Sequence, residues 1–284
     1  MRDIAFAYPG DLDTPTGGYR YDRALIGALE ARGHAVARVA LAPDFPFPAE
    51  ASVADAAARL AAVPRDTVLI VDGLAFGALP AAALAPVAAP IVALVHHPLA
   101  LETGLAAADV ARLAASERAA LAFARAVVVT SPATARTVAA DFGVAAGRLT
   151  VALPGVAPRW SRLSHRPASP PRIVSVGSLS PRKGHDVLVD AVASLGDLDV
   201  RCDIVGGVAD PRVAEALAAQ IAAHGLGERV TLHGALETDA IAALYEAASV
   251  FALATRYEGF GMVFAEAMAA VRSGTVPSSS ESSG

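Results

Sequence analysis

Val174-Ser-Val-Gly177-Ser-Leu-Ser-Pro-Arg182-Lys183-Gly184-His185-Asp186 reads as the end of a strand, a turn and the start of a helix. Gly177 lets the backbone turn where the strand ends. Arg182 and Lys183 then arrive beside the free N–H groups of a helix N-terminus. Cations at a positive helix end suit an anion, phosphate above all. On chemistry alone, a solvated basic turn explains the same residues equally well. Composition tips the balance slightly: among 23 basic residues Lys183 is the sole lysine. A lysine is a compact point charge that arginine does not replace at a phosphate.

The same alternation extends in both directions. Short apolar runs at 172–176, 200–205, 229–232 and 250–253 alternate with helical stretches at 184–194, 211–224, 238–247 and 261–270. Upstream, runs at 4–8, 36–41, 67–71, 91–95 and 126–130 alternate with helical stretches at 18–32, 51–62, 105–123 and 132–142. Strands that are apolar on both faces predict parallel sheets covered by helices. The Pro-rich stretch 154–171 interrupts the pattern and marks a boundary. The expectation is an α/β chain of two Rossmann-like domains, 1–165 and 166–270, with parallel sheets facing across a cleft. Ligands in such sheets sit beyond the carboxyl ends of the strands. Residues 271–284 are Ser-rich and aperiodic and are read as a disordered tail.

Composition narrows the class. The 284 residues are 54% hydrophobic and 18% charged, with a mean hydropathy of +0.47, which suits a globular protein. Much of the apolar excess is alanine, and no window reaches the roughly 18 apolar residues of a membrane span. The N-terminus lacks a signal-peptide core, and Cys202 is the sole cysteine, so a cytoplasmic protein is expected. A net charge of −5 argues against nucleic acid as a partner. Residues 1–165 carry 14 basic and 14 acidic side chains, whereas 166–284 carry 9 and 14. The neutral first half has no strong basic membrane patch, although a few surface arginines suffice for peripheral contact with anionic lipid.

A second stretch carries chemistry: Glu258-Gly-Phe-Gly261-Met-Val-Phe-Ala-Glu266. Glu258 lies between a strand and a glycine turn, and Glu266 lies in the helix that follows. The glycines let the backbone pass close to a ligand and expose the N–H groups of Met262 and Val263. Two carboxylates so placed can grip sugar hydroxyls from two sides. The plain alternative is a surface glutamate plus a glutamate favoured by the helix dipole, which leaves Gly259-Phe260-Gly261 unexplained. The chain holds no phosphate-binding P-loop, nucleophile elbow, HExxH or CxxC motif, and no GxGxxG follows the first strand. The pairs Asp11/Asp13 and Asp197/Asp199 fall in turn-like positions where Asp is common, so no metal site is assigned.

Taken together, these residues resemble the retaining glycosyltransferases of family 4, which have the GT-B fold. Glu258 and Glu266 match the family's pair of glutamates separated by seven residues, including the EGFG start and the EAMA end. VGSLSPRKGHDVL is similar to its donor-diphosphate segment. Thr14-Pro-Thr-Gly17-Gly18-Tyr19 is similar to its N-terminal glycine loop, and His96 matches its N-domain histidine. The resemblance implies transfer of a hexose from a nucleoside-diphosphate sugar to an acceptor hydroxyl, with retention and without a metal or a further cofactor. It implies that Lys183 and Arg182 neutralise the leaving diphosphate, helped by amides around Gly261, Met262 and Val263. By the same resemblance Glu266 would bind the ribose, Glu258 would contact the hexose and His96 would touch it from the facing domain. The resemblance would place Gly17 and Gly18 against the donor phosphates, and His97 is a weaker candidate. The acceptor, whether glycan, lipid or small molecule, is assigned to loops such as 74–80 and 98–105 of the first domain.

Two departures from the family pattern stand out. Ser178 takes a position where the family usually has arginine, and Arg182 is expected to serve the same phosphate. After the EAMAA segment the family continues with further strand–helix units, whereas this chain runs into the Ser-rich stretch. The second domain is therefore expected to be incomplete, with 271–284 a foreign terminus. The competing readings are a truncated, inactive homologue that binds nucleotide weakly, and a GT-B nucleotide-sugar epimerase.

Overall fold

A computed structural model describes residues 3–14 and 16–272. The chain divides into two compact units between Pro154 and Gly155, each built on one parallel sheet. In the first unit, β1 (Ile4–Pro9), β2 (Val36–Leu41), β3 (Val68–Asp72), β4 (Ile91–Val95), β5 (Ala126–Val129) and β6 (Leu149–Val151) form the order β2-β1-β3-β4-β5-β6. Phe6 and Ala7 of β1 are fully buried, as a central strand covered on both faces requires. The crossovers are α1 (Gly17–Ala31), α2 (Glu50–Ala61), α3 (Gly73–Phe76), α4 (Ala81–Leu84), α5 (Ala107–Leu121) and α6 (Pro132–Phe142).

Local chemistry sets the helix ends. Thr16 caps α1, its hydroxyl accepting from Tyr19 N at 3.2 Å. Ser131 caps α6 with Pro132 in the first turn, and Gly143 closes it at φ 72°, where a β-carbon would be strained. The expected elements are all present. β6, α3 and α4 were not expected, since each has three or four residues and is too short to show a period.

In the second unit, β7 (Arg172–Val176), β8 (Arg201–Val205), β9 (Val230–Gly234) and β10 (Val250–Phe251) take the order β10-β7-β8-β9. α7 (His185–Ser194) and α8 (Pro211–Ala223) cover one face, packing Leu188, Val192 and Leu217 around Ile204. α9 (Thr238–Ala247) and α10 (Met262–Arg272) cover the other around Val174 and Val205. No helix among the described residues is long and apolar enough to cross a membrane.

The division falls ahead of the expected boundary at 165, because part of the Pro-rich stretch packs into the second unit. Trp160 is buried against Tyr245, ring centroids 5.4 Å apart. Arg166 N and Ala168 N donate to Glu246 O and Ala247 O at the end of α9. α10 also runs through residues 271 and 272, where the tail was expected to begin. The rest of that expected tail, 273–284, lies outside the described residues.

One buried acid marks the turn after β4. Glu117 of α5 is 1% exposed, and its Oε2 accepts from Leu99 N at 2.9 Å. Burial pushes its carboxyl from 4.5 up to about 8, only partly opposed by that hydrogen bond. The folded state therefore holds this proton more tightly than the unfolded chain. The resulting stability is complete below the unfolded value and is lost as pH rises through the folded one. Glu117→Gln should flatten that slope, so that its melting temperature gains about 5 °C on the parent between pH 5 and 8. Parallel melting curves for the two proteins across that range would contradict the assignment.

Candidate functional site

The turn after β7 is packed from beneath by backbone. His185 Nε2 donates to Gly177 O at 3.1 Å, and burial lowers the ring's pKa against that bond, which keeps it a neutral donor. The Lys183 stem lies over Gly177, where an added β-carbon would come within 3.2 Å of Lys183 Cδ. Residues 181–183 form one tight turn, and Gly184, at φ 63°, caps α7. Lys183 therefore stands at the carboxyl end of β7 beside a helix start, where an anion is favoured.

The second motif meets the first here. Lys183 Nζ donates to Glu258 Oε1 at 2.5 Å, and Arg182 Nη1 lies 3.5 Å from the same oxygen. Arg182 Nη1 also donates to Tyr257 O at 3.0 Å. Thr255 Oγ1 sits within 3.1 Å of Arg182 O, Tyr257 O and Glu258 Oε1, tying the two loops together. Arg256 pairs with Asp186 at 2.9 Å, and its N–H donates to Arg182 O. Gly259, Phe260 and Gly261 form the turn into α10, Gly261 at φ 82°. Met262 and Val263 open the helix, where first-turn N–H groups have no intrahelical partner. Glu266, 3% exposed, lies further along the same helix.

The other candidates belong to the first unit. His96 follows β4, its Nε2 2.8 Å from Asp22 Oδ1 and 3.5 Å from Asp72 Oδ2. Gly18 opens α1 against the ring; a β-carbon there would stand 3.4 Å from His96 Cδ2. Gly17 precedes it in open space, and His97 Nε2 lies 3.7 Å from Glu102 Oε2. Burial opposes the charged form of His96, but hydrogen bonds to Asp22 and Asp72, with their charges, raise its pKa to about 10. Burial pushes Asp22 up to about 7, against its bond to His96 and with the charge of Asp72 adding. Burial also acts to raise Asp72, but His96, Asp22 and Leu74 N outweigh it and hold the carboxyl below its usual range.

Asp22 and Asp72 escaped the sequence reading. Asp72 carried a faint signal, an acid closing an apolar strand; it accepts from Leu74 N at 2.6 Å and so caps α3. Asp22 carried none, being one acid within an amphipathic helix. Among the described residues, these two and His96 form the one histidine–carboxylate cluster compact enough to suit a metal ion, within 4.8 Å. At the distances found, the ring stands with its Nε2 toward both acids.

The family pattern described as Glycosyltransferase Family 4 matches residues 15–160, and that described as Glycosyl transferases group 1 matches 158–271. D-inositol 3-phosphate glycosyltransferase of Xylanimonas cellulosilytica is 38% identical over 107 residues, 36% of this chain and 25% of that protein. The match thus spans a quarter of that relative's length. Among solved structures, sucrose-phosphate synthase of Thermosynechococcus elongatus superposes with a TM-score of 0.71 at 19% identity, covering 94% of this chain and 79% of the other. Anabaena HepE in complex with UDP-glucose gives 0.67 at 20% identity, covering 94% and 78%. Together with the two parallel sheets, these likenesses show the GT-B fold.

Proposed function

Given that the chain belongs to glycosyltransferase family 4, we propose that it moves a hexose from a nucleoside-diphosphate sugar to an acceptor hydroxyl. Retention of configuration and independence from metal are part of the proposal. The observation that carries it is the convergence of Lys183 and Arg182 on one anionic oxygen at the end of β7. In the protein as it stands, Glu258 supplies that anion. An arriving diphosphate takes its place at Lys183, and Glu258 is then released to the hexose. The two cations meet the charge that develops on the leaving diphosphate, with the amides of Gly261, Met262 and Val263 adding to them. Gly17 and Gly18 admit the donor phosphates close to the backbone, and His96 contacts the transferred sugar. A nucleotide-sugar donor is further supported by HepE, which was solved with UDP-glucose.

Glu266 is assigned to the ribose hydroxyls. Glu266→Gln is expected to weaken nucleoside-diphosphate binding about tenfold, the worth of one hydrogen bond to a charged group. Inorganic pyrophosphate should bind both proteins alike. Calorimetric titration with several nucleoside diphosphates, alongside donor turnover, tests the reading. Equal nucleotide affinities in variant and parent would remove Glu266 from the ribose. Absence of both nucleotide binding and turnover in the parent would defeat the donor assignment.

A further inference from the structure

The cluster around His96 is more elaborate than a sugar contact requires. Both carboxylates approach the same ring nitrogen, Nε2, at 2.8 and 3.5 Å. Nε2 is thereby occupied, while Nδ1 makes no hydrogen bond among the described residues. The ring cannot readily turn to exchange the two. Gly18 closes one side, and Tyr21 meets the ring edge-on, centroids 5.2 Å apart. Thr130 Oγ1 holds the residue's own carbonyl at 3.2 Å. Asp22 is fully buried, and its carboxyl is in hydrogen-bonding contact with that of Asp72 as well as with His96. Two buried acids in contact are costly unless a positive charge stands beside them, and the His96 ring is the group placed at both.

We propose that Asp22 and Asp72 are positioning residues that hold His96 as an imidazolium, leaving its Nδ1–H as a fixed, charged donor. This deepens the assignment of His96 in the proposed transfer: the ring offers a charged hydrogen bond to a sugar hydroxyl or phosphate oxygen and does not take up a proton. The two tyrosines beside the cluster do not supply the charge. Tyr19 donates to Pro9 O at 2.6 Å, and burial, with Asp72, Asp22 and Asp11, pushes its hydroxyl up to about 12. Tyr21 donates to Ala152 O, and His97 faces Glu102.

The test is a pH titration of the protein labelled with nitrogen-15 in its histidine rings, His96 being assigned from the signal lost in His96→Gln. In the parent, both ring nitrogens of His96 should stay protonated from about pH 6 to beyond about pH 8, where an ordinary histidine is neutral. In Asp22→Asn the midpoint should fall by at least about one pH unit, a tenfold weaker hold on the proton. A neutral His96 ring in the parent at pH 7, or an unchanged midpoint in Asp22→Asn, overturns the proposal. If that variant does not fold, the parent titration decides alone. Because the readout is spectroscopic, a protein that shows the charged ring but turns over no donor would defeat the transfer reading and leave this one standing.

Discussion

Lys183→Ala is expected to lower donor turnover by about two to three orders of magnitude, the usual cost of removing one preorganised group that meets developing charge. The side chain is only 12% exposed, and its stem is laid over Gly177, so Nζ has few places to go. Its charge acts at short range in a poorly solvated setting, where it counts for more than at a wet surface. Binding should separate accordingly: nucleoside diphosphate affinity falls, while affinity for the nucleoside alone is unchanged. Lys183→Arg is not expected to rescue, because a planar fork does not reproduce a point charge on this stem. Glu258 keeps Arg182 at 3.5 Å and Thr255 at 3.1 Å in the variant, so the loop should remain in place. Turnover within about threefold of the parent, or equal loss of nucleoside and diphosphate binding, would remove Lys183 from the diphosphate.

Gly206→Ala is expected to be strongly destabilising, although it adds a single methyl group. An added β-carbon would stand 1.9 Å from Gly177 O and 2.4 Å from Gly177 C. Neither backbone can yield cheaply. Gly177 N donates to Val205 O, Gly206 N donates to Gly234 O, and Gly177 O is held by His185. Overpacking of this kind against fixed main chain should cost about 3 kcal/mol or more and lower the melting temperature by about 10 °C. Gly227→Ala is the control, since nothing lies within 4 Å of a β-carbon there. Calorimetric melting of the two variants beside the parent makes the comparison. A Gly206→Ala protein that melts with the control would mean that the ends of β7 and β8 can spread apart. The same contact sets the turn after β7 close against Gly206, with the Lys183 stem over Gly177.

Much of the architecture was legible because the signals that encode it are short in range. An apolar run of four or five residues, a Thr or Ser before a periodic stretch, and a glycine after it each act on their own neighbours. Thr16, Ser131 and Gly143 each bound a helix through contacts within their own turn. The segments that escaped were too short to show a period, as with β6, or owed their place to distant partners. Trp160 reads as part of a linker until Tyr245 covers it.

The sequence by itself determined the two sheets, the family and the two motifs at Lys183 and Glu258, since each rests on residues close together in the chain. Only the tertiary structure decided that these motifs share one oxygen across 75 positions of sequence. It alone brought Asp22, from within α1, and Asp72, from the end of β3, to the ring of His96. The physical reason is the same in both cases. Periodicity and capping are local, whereas the energy of a charge depends on which groups surround it once water is excluded, and the fold alone assembles those groups.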